Sequence, residues 1–187
     1  MNKQKIDLRY FLICILIFVS SMIGGWLAKS DFASFREILR SSIPFIDSIQ
    51  SFPAGLIFAF ILINNIIKSF FVIVLGTLFG FMPLFSLYAN GFLIGMLGSF
   101  VGEGLSLKMF LASIVPHGII EVTALVMAAS YGLWLGVKLI RWIIHKEPFM
   151  PHFKTAMIFY FRVIAPLILL AALIEAFLTP RIIAWTK

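Results

Sequence analysis

Hydrophobic positions in this chain come in long, nearly uninterrupted runs, without the one-faced or alternating patterns of a water-soluble domain. A helix needs ~18–20 apolar residues to cross a hydrocarbon core. Runs of that order predict five spans, over about 11–28, 53–80, 84–101, 118–144 and 155–178. The predicted fold class is an all-α integral membrane protein, forming a single domain over residues 1–187.

Between the first two runs the pattern changes. Phe32, Phe35, Leu39 and Ile43 recur at helical spacing after Asp31, a residue suited to an N-cap. Beyond Pro44, residues Phe45, Ile46, Ile49 and Phe52 repeat the pattern. Segment 30–52 is therefore expected to form one or two interfacial amphipathic helices. They would rest on the other spans or close over a polar opening.

The second run, 53–80, would be ~42 Å long as a helix against a core of ~30 Å, so it must tilt, protrude or break. A break is also expected before the fourth span, at Pro116-His117-Gly118, because proline disfavours helical geometry in the residue ahead of it. Met109–Val115 then reads either as a re-entrant half-helix or as a kinked approach to the fourth span, with the kink preferred.

Three GxxxG pairs punctuate the runs: Gly76 with Gly80, Gly91 with Gly95, and Gly132 with Gly136. Small residues at this spacing let helix backbones approach closely in lipid. Such faces can join helices of one chain or of two copies, and a homodimer is marginally preferred. Within Val115–Gly132, the glycine spacing continues a polar one. His117, Glu121, Ala124, Ala128, Gly132 and Gly136 fall in one stripe roughly 120° wide at ~100° per residue.

Composition agrees with the pattern: 61% of the 187 residues are hydrophobic and 12% charged, with a mean hydropathy of +1.07. The net charge of +7 carries no basic patch of the nucleic-acid-binding kind, and membrane orientation accounts for it better. Lys3, Lys5 and Arg9 precede the first run, and Lys138, Arg141, Lys146 and Lys154 flank the connector between the fourth and fifth. These place the N-terminus in the cytoplasm and, after five spans, the C-terminus outside. The first run reads as a retained span and not as a cleaved signal peptide, because no small-residue cleavage site follows it.

Four charged residues fall inside the runs: Lys68, Glu121, Arg162 and Glu175. Charge at membrane depth is costly and needs a partner or water. In the expected topology Lys68 can reach Glu121 or Glu175, while Arg162, in the inner half of the fifth span, snorkels to the cytoplasmic surface. Asn64, Asn65, Asn90 and His117 would add neutral hydrogen-bonding groups, making a buried polar cluster with Lys68, Glu121 and Glu175. Two readings stay open: a structural network that holds helix register, and a polar path for an ion, proton or small solute.

Catalytic signatures are missing from the sequence. HGIIE is not the HExxH zinc pattern, no G-x-S-x-G nucleophile motif occurs, and His145 and His152 belong to the opposite membrane side from His117. With a single cysteine, Cys14, there is neither a disulfide framework nor a cysteine metal site. No catalytic residues, no metal and no cofactor are expected.

Several stretches together carry a family resemblance. They are FILINN at Phe60–Asn65, the spaced Gly76 and Gly80, NGFLIG at Asn90–Gly95, PHGIIEVTALVMA at Pro116–Ala128 and LIEAFLTP at Leu173–Pro180. The chain resembles the stage II sporulation protein M family of small polytopic membrane proteins of bacteria and archaea. The resemblance implies a plasma-membrane protein without enzymatic activity, akin to the sporulation member. That member anchors a partner membrane protein and a peptidoglycan-degrading enzyme at the engulfment septum. Expected partners are the lipid bilayer and other integral membrane proteins, with no nucleic acid. From another class, the alternative is a small channel or carrier that uses the polar cluster.

Overall fold

A computed structural model describes residues 8–28, 34, 37, 52–102 and 105–185. The expected surface segment, 30–52, lies almost wholly outside these residues. The five apolar runs form five helices long and apolar enough to cross a membrane. They are α1 (Leu8–Leu27), α2 (Ala54–Val74, tightened to a 3₁₀ turn over Leu75–Thr77), α3 (Phe81–Ser99), α4 (Leu107–His145) and α5 (Met150–Ala184). Among the described residues the sole β-type pairing is an isolated bridge between Val101 and Leu105.

The fourth helix departs from expectation. No break occurs at Pro116: α4 is one α-helix of 39 residues with the proline inside it. Met109–Val115 is therefore the first part of α4 and not a re-entrant half-helix, and the helix begins at Leu107 instead of Gly118. Proline removes one N–H, which leaves the Ala112 carbonyl without its usual donor. Neighbouring helices absorb that loss in membrane proteins. Ser106 caps the start, its Oγ accepting from the Met109 N–H at 3.1 Å. Lys146, at φ 57°, ends the helix in left-handed geometry.

Helix α5 handles its prolines differently. Immediately ahead of Pro166 and Pro180 the helix widens into π-turns, over Tyr160–Ile164 and Ile174–Leu178. The N–H of Ala165 reaches the Tyr160 carbonyl, and that of Thr179 the Ile174 carbonyl, each five residues back. The widened turn lets the chain continue past a residue that cannot donate.

Two glycine seams join the bundle. In the first, α1 crosses α3 at Gly25, Gly91 and Gly95. A Cβ on Gly95 would collide with the Met22 carbonyl, and one on Gly25 with that of Phe92. In the second, α2 crosses α4 at Gly76, Gly132 and Gly136. A Cβ on Gly132 would stand 2.6 Å from the Val72 oxygen, and one on Gly136 2.7 Å from the Gly76 oxygen. Gly80, at φ 76°, follows Phe79 at φ 54°, and together they turn α2 directly into α3. All three GxxxG pairs therefore have neighbours within their own chain.

Helix α4 is the central staff and touches each of the other four long helices. Its buried face runs from Ala124 through Ala128, Ala129, Ser130, Tyr131 and Leu135 to Gly136. A polar tie fastens α2 to α5, where the buried Tyr160 hydroxyl donates to the Ile66 carbonyl at 2.8 Å and lies 3.3 Å from Ser69 Oγ. Outward faces carry large apolar side chains such as Leu16, Phe60, Ile119 and Phe161, as a lipid-facing surface requires.

Candidate functional site

The polar residues of the spans gather where α4 meets α2 and the end of α5. Helical periodicity sets His117 and Glu121 one turn apart on α4. On α5, Glu175 lies within the second π-turn and Thr179 directly follows it. His117 Nδ1 lies 3.4 Å from Thr179 Oγ1, and its Nε2 lies 4.0 Å from Glu175 Oε2. One donor atom from each of His117, Glu121 and Glu175 lies within 4.8 Å of the others.

Two cavities flank this cluster. The smaller, about 210 Å³, lies between α2, α3 and α4 and is lined by Asn65, Lys68, Asn90, His117 and Glu121. The larger, about 1030 Å³, runs along α2 and the end of α5. Its polar lining is Asn64, Asn65, Lys68, Glu121, Glu175 and Thr179, and its apolar walls include Leu56, Phe60 and Ile63. Asn65, Lys68 and Glu121 line both cavities. Asn64 Nδ2 donates to Asn65 Oδ1 at 3.5 Å.

The expected cluster is therefore assembled in space, but not as a uniformly buried one. Lys68 and Asn90 are exposed, and Asn64, Asn65, His117, Glu121 and Glu175 are half-buried. Open cavities beside them account for the difference. Asn90 donates to the Ser86 carbonyl of its own helix at 2.8 Å, which partners its amide locally. Lys68 lines both cavities without closing an ion pair to either carboxylate among the described residues. Arg162 stands exposed in the first π-turn and lines neither cavity.

A family model described as stage II sporulation protein M matches residues 13–180, a stretch that includes every residue of this site. The chain belongs to the stage II sporulation protein M family. It is also similar to an uncharacterised protein of Methanocaldococcus jannaschii, with 29% identity over 181 residues that cover 91% of this chain and 94% of the relative. No solved structure matches the chain.

Sequence reasoning passed over Thr179, Ser69 and Tyr160. Thr179 was within reach, since it stands four residues after Glu175 and such pairs share a helix face. Ser69 and Tyr160 offered no local signal, because their partners lie across the bundle.

Proposed function

We propose that this family member is a membrane-embedded organiser, without catalytic activity, that holds a transmembrane helix of a partner protein. The carrying observation is the larger cavity, a groove with apolar walls and a polar floor. Lipid tails would fill the walls but offer no hydrogen-bonding group to Lys68, Glu121 and Glu175, of which Glu121 accepts from Asn65 alone among the groove's amides. A helix bearing a hydrogen-bonding side chain at that depth matches both surfaces. The described connectors favour the same mode of contact, since only four residues join α4 to α5 and three join the α2 turn to α3. They leave little surface outside the bilayer. The N-terminus is assigned to the cytoplasm of a bacterial or archaeal cell, on the strength of the basic residues around the α4–α5 connector.

The test is site-specific photocrosslinking in native membranes, with the reactive group at Ile63 in the groove and, as control, at Leu16 on α1. A discrete adduct is expected from position 63 alone. Mass spectrometry should map it to a membrane-spanning segment of another protein, and Lys68→Leu should abolish it. Adducts to lipid only, or to a second copy of this chain, would overturn the reading.

One observation favours a second function. The two cavities lie on either side of Asn65, Lys68 and Glu121, which line both, and polar groups so placed are of the kind a solute path needs. Ion or proton flux in liposomes that disappears in a well-folded Glu121→Gln variant would establish a channel or carrier in place of the organiser.

A further inference from the structure

We propose that His117, Glu121 and Glu175 form a site for one divalent transition-metal ion of the Zn²⁺ class, which clasps α4 to α5 at membrane depth. The inference goes beyond the organiser reading and does not depend on it.

The donor set comes first. One imidazole nitrogen and two carboxylate oxygens, from two helices, converge within 4.8 Å. Zn²⁺ takes this mixture of nitrogen and oxygen ligands at ~2.0–2.2 Å, which puts neighbouring donors about 3–3.5 Å apart. Side-chain rotation through about 1–2 Å closes the observed cluster to that spacing. Bundles build metal sites from inward-facing donors on neighbouring helices, some as one-turn pairs like His117 and Glu121 and some as single carboxylates like Glu175. Imidazole argues against Mg²⁺ or Ca²⁺, which favour all-oxygen shells.

Hydrogen-bond polarity supplies an independent argument. The Thr179 hydroxyl has one proton, and Thr179 Oγ1 donates it to the Ile174 carbonyl at 3.2 Å. In the tautomer with its proton on Nδ1, His117 donates to Thr179 Oγ1 while the hydroxyl donates to the Ile174 carbonyl. In the neutral imidazole, Nε2 then presents a lone pair to the Glu175 oxygen 4.0 Å away. Two acceptors facing each other need a shared proton or a cation between them, and the second carboxylate, Glu121, which accepts from Asn65, keeps further lone pairs for a cation. Lys68 lines both cavities beside Glu121 and attracts its charge, but closes no ion pair within 4.0 Å to either carboxylate among the described residues. A metal ligated by histidine ordinarily has its other ring nitrogen held in this way by an outer partner. Thr179 is that positioning residue.

The test uses the full chain purified in detergent without a histidine tag, stripped with chelator and dialysed against Zn²⁺ or Co²⁺ alone. Wild type should retain one equivalent per chain and unfold at a higher temperature with metal than without. His117→Ala and Glu175→Gln should each lose that equivalent. Thr179→Val should keep the site but bind about 10–100-fold more weakly. X-ray absorption on the wild-type Zn²⁺ form covers the case of variants that fail to fold. It should show one imidazole and carboxylate oxygens at ~2.0–2.2 Å. Failure of wild type to retain metal, retention unchanged in both ligand variants, or a shell of several imidazoles would each overturn the proposal. Since the crosslinking at Ile63 reads no metal, either reading can fail alone.

Discussion

The α1–α3 seam and the α4–α5 junction join helices in the same membrane by opposite means. At the seam, glycines remove side chains until backbone meets backbone, with the Gly95 face set against Met22 and the Gly25 face against Phe92. At the junction, His117, Glu121, Glu175 and Thr179 keep polar side chains between the helices and leave cavities beside them. Lipid tails are as apolar as leucine, so helices gain little in lipid from burying apolar surface against one another. Close backbone packing is one remaining source of adhesion, and polar contact is the other. The seam's contact line is filled, and the cavity of about 400 Å³ beside it, lined by Met22, Trp26, Gly95, Val101 and Phe110, offers only apolar side chains. The junction is open and rich in hydrogen-bonding groups, which suits it to hold something.

The largest effect should come from adding one methyl at the seam. Gly95→Ala places a Cβ against the Met22 backbone, which cannot rotate away, and should cost ~3 kcal/mol in reversible unfolding from mixed micelles. Gly24 and Gly25 make the sharper comparison. Gly25→Ala meets the Phe92 carbonyl and should destabilise on the same scale, whereas Gly24 has nothing within 4 Å. Gly24→Ala should be neutral or stabilise by up to ~1 kcal/mol, as glycine removal from a helix does. Equal effects at the two positions would refute the seam as drawn.

Polar ties should show smaller effects. Tyr160→Phe removes the donor to Ile66 but leaves Ser69 Oγ donating to the same carbonyl at 3.1 Å. A loss of about 1 kcal/mol is expected in the same unfolding assay. Thr179→Val, measured without metal, should cost only ~0.6 kcal/mol, the usual worth of a hydrogen bond between membrane helices. A cost at Thr179 as large as at Gly95 would erase the distinction between a packed seam and an open junction.

Much of this was legible in the chain. The five apolar runs, the glycine pairs and the polar positions Asn64, Asn65, Lys68, His117, Glu121 and Glu175 can be read directly, because a bilayer imposes length and apolarity on any spanning helix. Pro116 misled only as to a break, since its effect depends on whether the surrounding helices support a missing hydrogen bond. Met109–Val115 leads through it into the fourth span, as the preferred alternative to re-entry had it. Gly25 went unread for a related reason. Gly24 precedes it in the sequence, and only the position of α3 makes one of them a contact and the other a bystander.

By itself, then, the sequence determined which segments enter the membrane, which face of each helix is small or polar, and the family to which the chain belongs. Tertiary structure decided which faces meet: Gly132 against Val72, Gly95 against Met22, and His117 against Thr179, 62 residues away. Helical periodicity is a local property, fixed by 3.6 residues per turn whatever lies outside the helix. The choice of partner face depends on side-chain shape summed over a whole interface. The π-turn ahead of Pro180 then rewinds α5 locally where Glu175 stands, which no local pattern announces.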